Sequence, residues 1–484
     1  MKVHRMKPKF LFLIWFAINS MQLFAQQPNI LFISVDDLND YVNVMDGPIR
    51  AFTPNIDRLA SQGTLFTNAH SQAPICGPSR ASIMTGLYPS STGNYFQVED
   101  DHISKANGLS QKAIFMSQYF GQHGYKTMAI GKVFHNGDRA NTFGEYGGGY
   151  DWFGPFPKER FNYDPSKIEG KIGGTQTDWG AFPEFDSLMP DYKYAQWAVQ
   201  KLQESHEDPF FLAVGFIRPH VPWHVPQKWF DMFPLESIQT PPFKSNDFDD
   251  IPAFSRRVNN APMMPTTEEL IKNGQWKEVI QAYLACVAFV DAQIGKVLTA
   301  LEESPYAENT IVVLWSDHGH HLGEKNRVSK QSLWERDSRT LLLFKDIKGD
   351  GGKVSHKPVQ LMDIYPTLLE LSGLPAYELA EGNSLANLIH HPDMDWPHVA
   401  LTIYGIGNVA IRSDQYRLIQ YEDGSQELYD LIEDPYEWTN LANSQKHAGI
   451  ILELQKAIPK KWAENSDYSK HRFNEYFIER YGSK

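Results

Sequence analysis

The chain has 484 residues, of which 42% are hydrophobic and 13% are aromatic, and its formal net charge is -13. This length and apolar content are sufficient for one large domain with a deep core and a smaller second domain. The acidic balance argues against nucleic acid as a partner, because a phosphate backbone is bound by a cationic surface.

The N-terminus has the pattern of a secretory signal peptide. A basic start precedes an apolar run from Phe10 to Ile18, and the small residue Ala25 stands directly before Gln26. We therefore predict a signal peptide over residues 1–25 and an exported protein, secreted or periplasmic, with no stable membrane insertion after cleavage. The apolar run is short for a membrane span, so an uncleaved anchor is the weaker alternative.

Short apolar runs along the chain alternate with helical patterns. Buried strands are predicted for NILFISVDD (29–37), KTMAIGK (126–132), DPFFLAVGFIRPH (208–220) and NTIVVLWSDHG (309–319). Helices are predicted within TPNIDRLASQG (53–63), DYKYAQWAVQKLQE (191–204) and WKEVIQAYLACVAFVDAQIGKVLTALEE (276–303). The first has Thr53 as N-cap, Pro54 at its first position and Gly63 as its stop. This alternation predicts an α/β sheet covered by helices.

Two composition changes divide the rest of the chain. Residues 136–190 and 235–265 are rich in Gly, Pro or aromatic residues and lack periodicity, which predicts long loops. Beyond residue 396 the pattern alternates like antiparallel strands, with a turn at Asp423-Gly424. We therefore predict a large domain over residues 26–395 and a small C-terminal α+β subdomain with an antiparallel sheet over residues 396–484.

The two cysteines of the chain occupy different surroundings. Cys286 recurs with Val279, Tyr283 and Val290 at helical spacing, which predicts a core position. Cys76 lies in PICGPSRASIMTG, where a proline two residues later places it at a helix N-terminus, and the free N–H groups there favour negative charge. A disulfide between the two cysteines is the alternative.

Charged and imidazole side chains follow each predicted strand. The strands end in Asp36-Asp37, in Lys132 with His135 close behind, in Arg218-Pro219-His220, and in Asp317-His318. Ligands of open α/β sheets bind at the carboxyl edge of the strands, so these four ends predict one pocket.

The residue types in this pocket indicate its chemistry. Asp36, Asp37 and Asp317 offer hard oxygen ligands with His318 as a fourth, a set that favours Ca²⁺ or Mg²⁺. Cationic and imidazole side chains accompany them, namely Arg80, Lys132, His220 and Lys330. A cationic pocket inside an acidic protein suits a small oxyanion.

The motif Cys-x-Pro-x-Arg, here Cys76, Pro78 and Arg80, is followed by ASIMTGLYPSSTGNY. In this combination the chain resembles the type I, formylglycine-dependent sulfatase family, from NILFISVDDL to ELYDLIEDPYEWTNL. The stretches AVGFIRPHVPWHVPQKWFDMFP and SDHGHHLGEKNRVSKQSLWE resemble the iduronate-2-sulfatases of that family. The resemblance implies an alkaline-phosphatase-like fold, a large mixed and mostly parallel sheet flanked by helices, with residues 26–395 as the catalytic domain.

The resemblance also implies the cofactors. Cys76 is expected to be converted to formylglycine by a separate maturation enzyme that reads the motif. One Ca²⁺ is expected to be held by Asp36, Asp37, Asp317 and His318 together with the oxygen of residue 76.

The same resemblance implies roles for the remaining residues. Hydrated formylglycine is the expected nucleophile at sulfur, with Arg80 and Lys132 holding it and neutralising charge. Lys330 and the metal are expected to bind the sulfate oxygens. His220 is expected to protonate the leaving sugar hydroxyl, and His135 to accept the proton that releases sulfate.

The expected substrate is a sulfated, uronic-acid-containing glycan, either a glycosaminoglycan or an algal glycan such as ulvan. His320 stands where iduronate-2-sulfatase has a Trp, so we expect different sugar contacts there. The candidate rim residues that would contact the sugar are His320, His321, Trp223, His224 and Trp334. Two alternatives remain: a phosphatase or phosphodiesterase of the same superfamily, which would use a Ser or Thr nucleophile and two zinc ions, and a non-catalytic glycan-binding relative.

Overall fold

A computed structural model describes residues 27–482, apart from positions 46, 48, 139–140, 149–152, 169–170, 172–174 and 472–474. The predicted signal peptide therefore lies outside the described residues.

The described strands are β1 (Asn29–Val35), β2 (Thr64–His70), β3 (Lys126–Gly131), β4 (Glu145–Tyr146), β5 (Trp179–Ala181), β6 (Phe210–Phe216), β7 (Trp223–Val225), β8 (Thr310–Ser316), β9 (Arg339–Lys345), β10 (Lys353–Ser355), β11 (Val359–Gln360), β12 (Ala400–Ile403), β13 (Val409–Arg412), β14 (Tyr416–Gln420) and β15 (Gln426–Asp430). The described helices are α1 (Pro54–Gln62), α2 (Cys76–Thr85), α3 (Pro89–Thr92), α4 (Met116–Gln122), α5 (Pro190–Gln203), α6 (Gln227–Phe230), α7 (Ala253–Val258), α8 (Thr267–Lys272), α9 (Trp276–Glu302), α10 (Glu335–Ser338), α11 (Ile364–Leu371), α12 (Ala386–His390) and α13 (Ala448–Leu454). Glu475–Tyr481 is not a regular right-handed helix, because φ is positive at six consecutive residues, 476–481.

The main sheet is mixed and mostly parallel. Its strand order is β10-β2-β9-β8-β1-β6-β3-β4, and β11 pairs with β2. β9 runs antiparallel to both of its neighbours, whereas β8, β1, β6 and β3 lie side by side in parallel. Every residue of β1, β6 and β8 is buried, because apolar clusters cover both faces of the sheet. The four predicted strands and the predicted α/β class are confirmed.

Helix α9 forms the centre of the core on one face of the sheet. It is long and apolar enough to span a membrane, but 78% of its most apolar window is buried inside the protein, as in the core helix of a globular domain. Cys286 lies on this helix and is buried and free, as is Cys76. The alternative of a disulfide between them is wrong for this structure.

The start of α1 differs from its predicted capping. Thr53 precedes the helix, but its hydroxyl donates to Asp57 and accepts from the Asn43 amide instead of bonding a free N–H of the first turn. Those amides are satisfied from α9, because the Asp291 carboxylate accepts from the N–H of Asn55 at 3.2 Å and of Ile56 at 2.9 Å. A distant carboxylate thus replaces the local cap.

A second, antiparallel sheet follows, in the order β12-β13-β14-β15. Its β14–β15 connection turns at Asp423-Gly424, where Gly424 has φ of 89°, so the predicted turn is confirmed. The first strand of this sheet begins at Ala400, and the predicted boundary at residue 396 stays a prediction. Among the described residues, the two predicted loops hold only short elements such as β4, β5 and α7.

Glu335 joins the two sheets through buried charge. Its carboxylate lies 3.0 Å from Arg417 Nη1 and 3.4 Å from Arg412 Nε, and both arginines belong to the C-terminal sheet. Burial acts to raise the pKa of Glu335, but Arg412, His70 and Arg417 outweigh it and hold that pKa well below its usual value.

We expect Glu335→Ala to lower the free energy of unfolding by about 3–5 kcal/mol, because it removes the carboxylate shared by two buried guanidinium groups and leaves Arg417 with Glu437 alone. Urea unfolding at pH 7 measures this loss, and Glu303→Ala, at an exposed position after α9, should cost at most about 0.5 kcal/mol. Because the pKa of Glu335 is lower in the folded than in the unfolded state, its ionised form stabilises the fold fully above the unfolded pKa of about 4.3. This stabilisation is lost progressively as pH falls from that value toward the folded pKa. The difference between wild type and Glu335→Ala should therefore shrink below about pH 4; equal losses in the two variants would contradict this account.

Candidate active site

Three carboxylates and a histidine stand where β1 and β8 end. Asp36 and Asp37 follow β1, and Asp317 and His318 follow its parallel neighbour β8. The Asp37 amide donates to Asp317 Oδ1 at 3.2 Å, and the Asp317 amide donates to the Val35 carbonyl at 3.3 Å. These contacts tie the two strand ends together, and all four side chains are buried.

Helix α2 begins at Cys76, beside these carboxylates. Cys76 Sγ lies 3.2 Å from His318 Nε2 and 3.9 Å from Asp37 Oδ1. The Gly77 amide donates to Gln97 Oε1 at 2.9 Å, and a Cβ at position 77 would lie 2.2 Å from that oxygen. A side chain at position 77 would therefore have to displace the Gln97 side chain, whose Cα lies 3.3 Å from the same point.

The Arg80 guanidinium, one turn into α2, is buried among the carboxylates. Its Nε donates to Asp317 Oδ2 at 2.9 Å and its Nη2 to Asp36 Oδ1 at 3.3 Å. Nη1 donates to the carbonyls of Lys132 and, at 3.0 Å, Val133. Burial opposes the charge, but Asp317 and Asp36 outweigh it and raise the pKa of Arg80. Arg80 thus links α2 to the ends of β1, β3 and β8.

Two glycines bring Lys132 into the site. Gly131 has φ of 73°, and a Cβ there would meet the Gly215 carbonyl oxygen at 2.2 Å. A Cβ at Gly215 would meet the Lys132 carbonyl carbon at 2.1 Å, so β3 and β6 approach too closely for side chains. The Lys132 ammonium forms an ion pair with Asp36. Burial acts to raise the pKa of Asp36, but Lys132 and the other cations hold it well below its usual value.

Lys330 completes the group of cations from the loop after β8. Its Nζ lies 2.6 Å from Asp37 Oδ1 and 3.0 Å from Cys76 Sγ. The Lys330 carbonyl accepts from Arg327 Nη2 at 2.6 Å, which fixes the loop. Burial disfavours the ammonium, but Asp37 and Cys76 outweigh it and raise the pKa of Lys330, so the side chain stays charged.

His220 presents a neutral nitrogen to the same site. Its Nδ1 lies 2.7 Å from the Val221 carbonyl and therefore carries the proton, while its Nε2 lies 3.9 Å from Asp37 Oδ2. The imidazole stacks on Phe153 with ring centres 4.1 Å apart. Burial lowers the pKa of His220 to about 3.

His135 follows Lys132 by three residues. Its Nδ1 is buried and has no hydrogen-bond partner within the described ranges. Burial, aided by Lys132, lowers the pKa of His135 well below its usual value. His135 is therefore a neutral imidazole with a free nitrogen, and such a group can accept a proton.

The residues fit a divalent cation. Two sets of ligand atoms lie within 4.8 Å of one another, one from Asp36, Asp37, Cys76 and His220, the other from Asp36, Cys76, Asp317 and His318. Asp37 Oδ2 is buried and has no hydrogen-bond partner in the part of the chain that the structure describes. Carboxylates suit a hard cation, whereas the Cys76 sulfur is a soft ligand, so an oxygen at residue 76 would give the more consistent set.

Binding of a cation by His318 requires that its imidazole lose a proton. Burial acts to lower its pKa, but Asp317 and the Cys76 sulfur raise the pKa of His318 to about 9. Its Nδ1 lies 2.9 Å from the Gly319 carbonyl, so Nε2 is the nitrogen that faces the carboxylates. A cation bound at Nε2 must displace the proton there.

All five candidate rim residues are buried, so they do not form an exposed rim, and their contact with the sugar stays a prediction. His320, 2% exposed, has its Nδ1 3.7 Å from Asp37 Oδ2, and neither of its ring nitrogens has a hydrogen-bond partner among the residues described. It lies beside the carboxylate group and is enclosed by the rings of Trp223 and Tyr283.

The other candidate rim residues have internal partners. His321 Nδ1 pairs with Asp337 at 2.6 Å, and Trp334 Nε1 donates to Glu427 at 2.9 Å. Trp223 Nε1 donates to the Pro219 carbonyl at 2.8 Å. His224 Nε2 lies 3.3 Å from Asp178 Oδ2. The sequence pattern gave no sign of these partners, since three of the four lie on distant segments.

Sequence reasoning missed the residues that support the turn after β1. Asp37 has φ of 61°, which is uncommon for a residue with a side chain. The Tyr283 hydroxyl holds this turn, because it donates to the Asp37 carbonyl at 2.8 Å and accepts from the Asn39 amide at 2.9 Å. Tyr283 looked like a core residue of α9, and only the tertiary structure reveals this contact. The sequence held one local indication of such support, namely Gly131, which stands at a strand end directly before Lys132.

Comparison with known proteins gives matches over nearly the whole chain. Residues 28–374 match the sulfatase family, and residues 323–464 match the C-terminal region of N-sulphoglucosamine sulphohydrolase. A sulfatase of Formosa agariphila is 49% identical over 460 residues, covering 94% of this chain and 91% of that protein. The ulvan-active sulfatase of the same organism is 29% identical, covering 94% and 84% respectively. Human iduronate 2-sulfatase is 30% identical, covering 72% and 69%.

Solved structures share the fold. A protein in complex with its substrate D-glucosamine-2-N,6-O-disulfate has a TM-score of 0.67 at 22% identity, covering 89% of this chain and 96% of that one. The phosphonate monoester hydrolase of Silicibacter pomeroyi has a TM-score of 0.69 at 20% identity, covering 89% and 94%. At these identities the likeness establishes the alkaline-phosphatase-like fold alone.

Proposed function

The chain belongs to the sulfatase family and hydrolyses sulfate esters, and we propose that it is an exported enzyme acting on uronic-acid-containing glycans through a formylglycine at residue 76. The observation that carries this proposal is the position of the Cys76 sulfur, 3.0 Å from Lys330 Nζ and 3.2 Å from His318 Nε2, within a ring of buried carboxylates.

Residue 76 is suited to nucleophilic attack on a sulfate ester. Hydrated formylglycine supplies the attacking oxygen in this proposal. Arg80 contributes two buried ion pairs and Lys132 a third, so their charge fixes the carboxylates around that oxygen. Lys330, whose ammonium touches residue 76, would bind the sulfate oxygens as negative charge redistributes.

We assign one Ca²⁺ to the carboxylate group, held by Asp36, Asp37, Asp317 and His318 with the oxygen of residue 76. Bound there, the cation would lower the pKa of the nucleophilic hydroxyl and attract the sulfate group. Three carboxylates balance three fixed cations in the site, so a divalent ion leaves an excess of positive charge that favours an anionic substrate.

The two histidines take opposite roles in the proposal. His220 is neutral in the free protein, so its Nε2 must gain a proton as the anionic ester binds and raises its pKa. It then donates that proton to the leaving sugar oxygen. His135, with a free buried nitrogen, accepts the proton whose removal from residue 76 releases sulfate and restores the aldehyde.

The proposed substrate class is inferred from the names of two relatives. One relative is named as ulvan-active and another as an iduronate 2-sulfatase, and both names refer to glycans that contain uronic acids. We propose the same class for this chain. Export through the signal pattern of residues 1–25, and maturation by a formylglycine-generating enzyme, belong to the same proposal.

The alternatives have less support. The phosphatase or phosphodiesterase alternative expects a Ser or Thr nucleophile and two zinc ions, whereas this chain has a cysteine in the Cys-x-Pro-x-Arg motif. A non-catalytic glycan-binding protein would not need six reactive side chains in one pocket, namely Cys76, Arg80, Lys132, His135, His220 and Lys330.

The first prediction from the proposed function concerns residue 76. Peptide mass analysis of protein produced with a formylglycine-generating enzyme should give the aldehyde or its hydrate at that position. Cys76→Ala should abolish sulfate release with little change in melting temperature, whereas the control Cys286→Ala should retain activity, because that thiol lies in the core of α9. Full activity in protein that carries only the unmodified thiol would contradict the mechanism.

The second prediction concerns the metal. Elemental analysis should find one calcium per chain, chelation should remove activity, and added calcium should restore it. Asp37→Asn should lose both calcium and activity, whereas Asp101→Asn, at an exposed position, should lose neither. Stoichiometric zinc in the active protein would favour the phosphatase alternative.

The third prediction separates the histidines. His220→Ala should reduce hydrolysis of a uronate 2-sulfate disaccharide by about 10²–10⁴-fold but affect an aryl sulfate less, because a phenolate departs with little help. His135→Ala should retain sulfate on residue 76 with either substrate, visible by intact mass. His447→Ala, in the C-terminal part of the chain, is the control. Trapped sulfate in His220→Ala and none in His135→Ala would reverse the two assignments.

A further inference from the structure

A separate cavity of about 250 Å³ lies beside the segment that follows His220 in the chain. The residues that line it include Phe156, Lys158, Arg160, Gln176, Pro222 and His224. None of them belongs to the reaction centre described above.

The cavity is connected to His220 through the backbone. His220 Nδ1 bonds the Val221 carbonyl at 2.7 Å, and Pro222, the next residue, lines the cavity. The short strands β5 and β7 pair in parallel, with Trp179 opposite Trp223, and this pairing brings the segment around residue 178 beside the one after His220. The cavity is therefore lined by the segment that directly follows the proposed general acid.

Positive charge dominates the mouth of this cavity. Lys158 is exposed and has no ion pair with any residue that the structure describes. Arg160 is held by backbone carbonyls, including that of Thr175 at 2.6 Å, and likewise has no carboxylate partner among the described residues. The Asp178 carboxylate also lines the cavity, but it is buried and accepts from the amides of Phe161, Asn162 and Tyr163. Two cations thus face solvent in a protein of net charge -13.

Unpaired acceptors lie at the inner end. His224 is 1% exposed; its Nε2 faces the Asp178 carboxylate and so carries the proton, which leaves Nδ1 as a bare acceptor. Both this Nδ1 and Gln176 Oε1 are buried, and neither has a hydrogen-bond partner among the residues that the structure describes. Buried acceptors without partners are rare in native proteins and indicate an absent donor. Phe156, 47% exposed, adds an aromatic ring at the mouth.

We propose that this cavity is a subsite for a second, acidic sugar unit of the glycan, adjacent to the unit that carries the scissile sulfate. Lys158 and Arg160 would bind its carboxylate or sulfate, His224 and Gln176 would accept from its hydroxyls, and Phe156 would contact its ring face. This inference rests on the proposed glycan sulfatase function. It makes the substrate at least a disaccharide.

The test compares Lys158→Ala, Phe156→Ala and the double variant with Lys112→Ala, an exposed lysine outside the cavity. The substrates are an aryl sulfate and sulfated tetrasaccharides of heparan sulfate, dermatan sulfate and ulvan. Carboxyl-reduced tetrasaccharides, and others without sulfate on the neighbouring unit, identify which anion is bound. The quantity measured is kcat/KM on the tetrasaccharide divided by kcat/KM on the aryl sulfate.

We expect this ratio to fall about two- to fivefold in each single variant and about tenfold in the double variant, mainly through KM, since an exposed charge contact contributes modestly. The ratio should stay constant in Lys112→Ala. Calorimetric titration of the same tetrasaccharides into Cys76→Ala protein, with and without the double substitution, should give a matching loss of affinity without turnover.

The outcomes separate the two proposals. One outcome is that the wild type hydrolyses the tetrasaccharides while the double variant keeps the wild-type kcat/KM ratio and the wild-type affinity. In that case the proposal of a subsite is wrong and the sulfatase assignment stands. If the wild type hydrolyses the aryl sulfate but no tetrasaccharide, the glycan function is wrong and the subsite with it.

Discussion

Neutralisation of three carboxylates buried side by side is the constraint on which the rest of this structure depends. Buried anions without partners are costly, so each needs a cation fixed in place. Arg80 supplies one from α2, Lys132 a second from the end of β3, and Lys330 a third from the loop after β8. The strand order β8-β1-β6-β3 brings these segments to one edge of the sheet.

Close backbone approach makes this convergence possible. Gly131 and Gly215 let β3 and β6 meet without side chains between them, and Gly77 lets the start of α2 reach the amide of Gln97. Tyr283 holds the turn after β1 from the opposite face of the sheet. The backbone geometry of these segments therefore fixes where the charged residues of the reaction centre lie.

A protein that binds a disulfated glucosamine and a phosphonate monoester hydrolase share this fold, so the fold alone does not determine the substrate. The long segment between residues 136 and 190 carries Phe156, Lys158 and Arg160, and it adds little regular structure. Such loops on a rigid sheet are where substrate contacts concentrate. His320, after β8, is enclosed, whereas Phe156 and Lys158 of this segment are exposed to solvent.

The sequence by itself determined the α/β class, the four strands that end in charge, the helical start at Cys76 and the antiparallel C-terminal sheet. These features depend on local periodicity and on motif spacing, which a chain displays without being folded. Only the tertiary structure decided that Asp291 caps α1, that His320 is enclosed beside Asp37, and that His224 faces a cavity with an unpaired nitrogen. Each of these contacts joins segments far apart in the chain, and no local pattern encodes such distances.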